Sequence, residues 1–150
     1  MTKPIEIGTR IGFDFGETRI GVATSDRESI LVSPHATILN DDLLAEKLAE
    51  IFSDIKPIYA VVGNPRHLSG ENSPKSVEAK NFARLIQNIF SGPIYLVDER
   101  LSTSSAYSQM REVGKNSKES KAVIDQIAAV NILESAILNE KSGTSIGELF

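Results

Sequence analysis

Residues 11 to 26, IGFDFGETRIGVATSD, restrict the fold more than any other stretch of the chain. Apolar residues alternate or run on both sides of the short segment GET, a pattern that makes two strands joined as a hairpin. Alternate residues of a strand share a face. Ile11, Phe13 and Phe15 therefore point one way, and Gly12, Asp14 and Gly16 the other. Glycine weakens a strand interior and marks close approach by a ligand or another backbone. A carboxylate between two glycines on one face reads as a ligand held on a rigid support. The alternative is a strand-end aspartate satisfied by a local hydrogen bond.

The remaining pattern sets the architecture. A third strand is expected over residues 30–38, and Pro34 suits it to a sheet edge. Asn40 or Asp41 is the expected N-cap of a helix running to about residue 55, with Asp41, Asp42, Glu46, Glu50 and Asp54 on its solvent face. PIYAVVGN reads as a buried strand and NPRHLSGENSP as a loop, with a helix starting at Ser73-Pro74. The strand PIYLVDE, a helix over residues 102–112, the polar loop VGKNSKESK and a last helix over residues 122–139 follow. The expectation is α/β: a mixed five-stranded sheet flanked by helices, in one domain over residues 1–140. Residues 141–150 read as a flexible tail.

Composition removes several chemistries. The chain has no Cys, which excludes disulfides, thiolate metal sites and thiol nucleophiles. Its opening, MTKPIEIGTR, has no apolar run of signal-peptide length. The most apolar stretch, residues 122–138, is interrupted by Asp125, Gln126, Asn131 and Glu134, so no membrane span is expected and the expected location is cytoplasmic. A net charge of −4 argues against a surface coated with phosphate-binding cations, though a local basic patch remains compatible with it.

Two further acidic positions complement Asp14. Asp98 and Glu99 end an apolar strand, and neighbours on a strand face opposite ways, so only one of them is expected in a shared site. Asp125 lies on a helical face with Ala122, Ala129 and Leu133, where an ionised carboxylate needs a cation. Lys118 or Lys121 could supply it. The small neighbours Ala122, Ala128 and Ala129 suggest instead a close approach to the sheet that carries Asp125 toward Asp14. Three carboxylates without Cys, and with only His35 and His67, make a hard oxygen site suited to Mg²⁺ or Mn²⁺ rather than Zn²⁺. Such a site points to phosphate chemistry, with two ions.

Taken together, FDFGETRIGVATSD, VVGNPRHLSGENSP, YLVDERLST and IDQIAAVNILE resemble the YqgF family, over roughly residues 8 to 140. Its members are described as Holliday-junction-resolvase-like proteins and as pre-16S rRNA nucleases. The resemblance implies a ribonuclease H-like fold and a metal-dependent nuclease whose acidic triad falls on Asp14, Glu99 rather than Asp98, and Asp125. It places Arg19, Arg100 and Thr103 near the site, with Gly63 and Pro65 in the adjoining loop. Asn64 and His67 depart from the family pattern. The loop KNSKESK, with three Lys and one Glu, is less basic than the family's. Arg19, Arg100, Lys118 and Lys121 are the expected phosphate contacts, and Asn64, Pro65 and Thr103 complete the expected nucleic-acid surface. The expected substrate is RNA, cut in 5′-end maturation of pre-16S rRNA by a mainly monomeric enzyme. The alternatives are a junction resolvase and a non-catalytic RNA-binding module of ribosome assembly. DFGETR also resembles the phosphate loop of the actin, Hsp70 and sugar-kinase ATPases, but those need two such lobes.

Overall fold

The computed structural model describes residues 5–64, 74–98 and 118–150. The elements are β1 (Arg10–Asp14), β2 (Arg19–Ser25), β3 (Val32–Leu39), α1 (Leu44–Ile55), β4 (Tyr59–Asn64), α2 (Pro74–Gln87), β5 (Ile94–Asp98), α3 (Lys118–Lys141) and β6 (Glu148–Leu149). The sheet order is β3-β2-β1-β4-β5-β6. β1, β4 and β5 run parallel, while β2, β3 and β6 join antiparallel. The expected helix over residues 102–112 lies outside the described residues.

Strand parity divides the core. Ile11, Phe13, Ile20, Val22, Ala60, Val62, Ile94 and Leu96 pack against α1 and α2. Phe13 fixes both helices, its ring 5.9 Å from that of Phe52 and 5.4 Å from that of Phe82. Ala23, Tyr59, Val61 and Val97, of opposite parity, meet α3 through Ala129, Ile132, Leu133 and Ala136. Burying such side chains supplies roughly 1.5–3 kcal/mol each for the larger ones. Ala122–Lys141 is long and apolar enough to cross a bilayer. Its apolar face is nevertheless occupied by the sheet, with Ala128, Ala129, Ile132, Leu133 and Ala136 all fully buried.

Three boundaries differ from expectation. β3 begins at Val32 because Asp26 Oδ1 accepts from the backbone N–H of Ile30 and Leu31 at 2.8 and 3.2 Å, holding them in the preceding turn. A register shift between Val22 and Ala23 accommodates Pro34 on this edge strand. The N-cap of α1 is Leu43, without a side-chain cap, while Asp41 Oδ1 accepts from Leu43 N–H at 3.0 Å to shape the turn before it. Asn40 instead holds the turn between β1 and β2, its Nδ2 donating to the Gly16 carbonyl. Residues 141–150, expected to be loose, return to the sheet. Glu148–Leu149 forms a sixth strand beside β5, and Phe150 N–H donates to Ile94 carbonyl oxygen at 2.8 Å while its ring packs on the core.

α3 is pinned far from Asp14 by an ionic cluster that pattern reading did not anticipate. Arg10, fully buried, donates Nε and Nη2 to the two Glu140 oxygens at 3.1 and 2.8 Å. Tyr59 donates its hydroxyl to Glu140 Oε1 at 2.7 Å, and its ring lies beneath the guanidinium. Carbonyls of Gly8 and Glu6 accept the other Arg10 donors. A buried charge survives only when paired and hydrogen-bonded in this way.

Candidate active site

Asp14 ends β1 on the α3 side of the sheet and is 7% exposed. Its antiparallel neighbour is Gly21. On its other side β4 runs parallel, with Phe13 beside Val62, so the next step brings Gly63 alongside. Asp14 therefore stands between two strands that put no side chain beside it. The space expected from the glycines along β1 is used differently. A Cβ on Gly12 would lie 2.8 Å from Leu133 Cβ, so that glycine admits α3 and no ligand. Gly16 serves the turn, where a Cβ would meet the Arg19 carbonyl oxygen at 2.4 Å.

Gly21 brings the second carboxylate in. A Cβ there would sit 2.0 Å from the Asp125 carbonyl oxygen and 3.1 Å from Asp125 Cβ. The helix backbone thus rests directly on β2, beside the strand position that pairs with Asp14. Thr37 ties the same turn of α3 to β3: its Oγ1 donates to the Ala122 carbonyl at 3.0 Å and accepts from Gln126 Nε2 at 3.0 Å. Pattern reading missed Gly21, Thr37 and Gln126. The available signal was the small residue at 21 on the parity opposite Ile20 and Val22.

Arg19, expected among the phosphate contacts, is committed here to a carboxylate. Its Nε donates to Asp125 Oδ2 at 3.0 Å, with the two side chains 28% and 18% exposed. Arg19 thus takes the pairing role considered for Lys118 or Lys121. Burial pushes the Asp125 carboxyl above the ordinary aspartate range, and Arg19 pulls it down without cancelling the shift. The folded chain therefore holds this proton more tightly than the unfolded chain. The resulting stability is fully present below the ordinary aspartate pKa and is lost as pH rises through the raised value. In metal-free buffer, Asp125→Asn should gain stability relative to wild type as pH rises through that window, then level off. A stability difference that stays flat from acid to neutral pH in denaturant titrations would refute this.

Asn64, also expected on the nucleic-acid surface, is 2% exposed and accepts a 2.6 Å hydrogen bond from Ser76 Oγ. It shares the parity of Ala60 and Val62, which face α1 and α2, so its side chain joins β4 to α2 inside the protein. This corrects the expectation. Asp98 has the parity of Ile94 and Leu96 on that same side, opposite Asp14. Glu99, Arg100, Thr103 and Pro65 lie outside the described residues, as do the side chains of Lys118 and Lys121. Among the described residues no three His, Cys, Asp or Glu side chains gather to hold a metal. Asp14 and Asp125 supply two hard oxygen donors at one end of the sheet, a set that fits Mg²⁺ or Mn²⁺ and awaits a third.

A family model described as RuvX, Holliday junction resolvase, matches residues 8–139. The chain belongs to the RuvX family. This bears out the YqgF resemblance of the four motifs. RuvX relatives named "Putative pre-16S rRNA nuclease" include one from Leifsonia xyli, 40% identical over 90% of this chain and 88% of its own length. Another of that name, from Streptomyces coelicolor, is 39% identical over 94% of this chain and 87% of its own. Among solved structures, Thermus thermophilus RuvC in complex with a Holliday junction substrate matches with TM-score 0.61 at 13% identity, covering 95% of this chain and 99% of that one. Another structure of the Thermus protein gives 0.58 at 12% identity, with the same coverage. At such identities the likeness concerns the fold, which is ribonuclease H-like as expected, with six strands where five were counted.

Proposed function

We propose that this RuvX chain is a divalent-metal-dependent nuclease that hydrolyses phosphodiester bonds in precursor 16S rRNA. The observation that carries the reading is the convergence of Asp14 and Asp125 on Gly21, at the end of the sheet where β1 and β4 finish. Strand register and helix seating carry both carboxylates to this end of the sheet, where gathered negative charge calls for cations to offset it. Glu99 is the third ligand in this proposal, because Asp98 has the parity that faces away from Asp14. Mg²⁺ or Mn²⁺, as a pair of ions, would neutralise charge on the phosphate and polarise it for attack.

The chain's own groups do the positioning. β1 and α3 hold the two carboxylates on rigid elements, and Arg19 orients Asp125 and balances its charge. Arg100, Thr103, Lys118 and Lys121 are assigned to the phosphates of the bound strand. Water attacks phosphorus, the bond to O3′ breaks, and the products carry 5′-phosphate and 3′-hydroxyl ends. The enzyme works in the cytoplasm and mainly as a monomer.

Precursor RNA is preferred over junction DNA in this reading, in keeping with the relatives' names. Purified protein with Mn²⁺ is therefore expected to cut a precursor 16S rRNA fragment more readily than a four-way DNA junction. Paired symmetric nicks in the junction without RNA cutting would favour the resolvase named in the family description.

A further inference from the structure

A cleft of about 420 Å³ opens on the α1/α2 side of the sheet, directly behind Asp14. Pockets of roughly 300–1,000 Å³ hold small organic groups. Its floor is aromatic: Phe15, half-buried, meets the buried Phe82 with ring centroids 5.0 Å apart. Its rim carries Glu17, Asn40, Glu78 and Asn81. Phe15 follows Asp14 in the chain, and strand alternation sends the two side chains to opposite faces. A strand lying over the end of β1 would therefore have the carboxylates on one side and this cleft on the other.

The two asparagines are held in place. Asn40 donates Nδ2 to the Gly16 carbonyl at 3.1 Å and its backbone N–H to Thr18 oxygen at 2.9 Å, which fixes the hairpin turn and leaves Oδ1 as an acceptor. Asn81 Oδ1 accepts from Arg84 Nη1 at 2.7 Å, leaving Nδ2 as a donor. Acceptors thus dominate the rim: the Glu17 and Glu78 carboxylates and Asn40 Oδ1, against Asn81 Nδ2. Two carboxylates repel a phosphate, so the backbone of a bound strand cannot enter. An aromatic floor with a hydrogen-bonding rim is how single-stranded bases are received.

We infer that this cleft receives one unstacked nucleobase of the substrate strand and favours guanine, whose edge offers the O6 acceptor beside amino and ring N–H donors. The inference rests on the nuclease reading above and deepens it by naming a base preference beside the cut. Uracil presents two carbonyl acceptors with a single donor and meets the acidic rim poorly.

The test compares kcat/KM with Mn²⁺ for an oligouridine strand and for the same strand carrying one central guanine. For the full-length protein the guanine strand should be cut about tenfold faster, the size of one well-made base contact. The double variant Glu78→Ala with Asn81→Ala, which removes an acceptor and the donor from the rim, should erase that ratio while its melting temperature stays that of wild type. Cutting of both strands at equal rates by wild type, or a ratio that survives in the folded double variant, would overturn the cleft assignment and leave the nuclease standing. Failure to cut either strand, or precursor rRNA, would overturn the nuclease reading and this inference with it.

Discussion

Gly21→Ala is expected to cost about 3 kcal/mol or more, at or above the upper end for overpacked sites. The added carbon would stand 2.0 Å from the Asp125 carbonyl oxygen, a distance no native contact tolerates. The obstructing atom belongs to helix backbone, so no side-chain rotation relieves it. α3 must lift off β2, and its neighbouring approach at Gly12, where Leu133 already lies close, would open as well. For a domain of this size a loss of 3 kcal/mol lowers Tm by about 10 °C. Thermal and urea unfolding measure this directly, and a Tm within experimental error of wild type would show that the helix is not seated on that glycine. The same displacement moves Asp125 away from Asp14, so any folded fraction should also cleave poorly.

Asp14→Asn should abolish cleavage, by about a thousandfold or more, while the chain stays folded. Asparagine keeps the size and much of the hydrogen-bonding capacity of aspartate. It removes one negative charge from the carboxylates proposed to gather at this end of the sheet, so stability without metal should hold or rise. Kinetics and a melting curve on the same preparation separate the effects. Wild-type cleavage in a folded Asp14→Asn variant would remove Asp14 from the chemistry, and an unfolded variant would make its role structural.

Much of the fold was legible because local pattern and tertiary arrangement agree. The hairpin, the edge strand with Pro34, the acidic outer face of α1 and the parallel strands β4 and β5 all follow from period and punctuation. Asp14 and Asp125 could be singled out since a carboxylate on an apolar face stands out at any period. What brings them together could not be read, because Gly21 acts through a contact more than a hundred residues away in sequence. Arg10–Glu140 was hidden for the same reason: each looks like an ordinary surface charge until its partner is known. Residues 148–150 were misjudged because a two-residue edge strand carries too little pattern, its pairing coming from the exposed side of β5. Asn64 shows the converse, a residue expected on the nucleic-acid surface whose side chain points inward to Ser76.

The central claim, that Asp14 and Asp125 together hold a divalent cation, is most directly tested by titrating Mn²⁺ into isotope-labelled protein and following amide NMR signals. Paramagnetic broadening should remove Asp14, Gly21 and Asp125 at the lowest Mn²⁺ additions, reach Arg10 and Glu140 at the far end of the sheet only later, and disappear in Asp14→Asn. Broadening centred elsewhere, or unchanged by Asp14→Asn, would contradict the assignment.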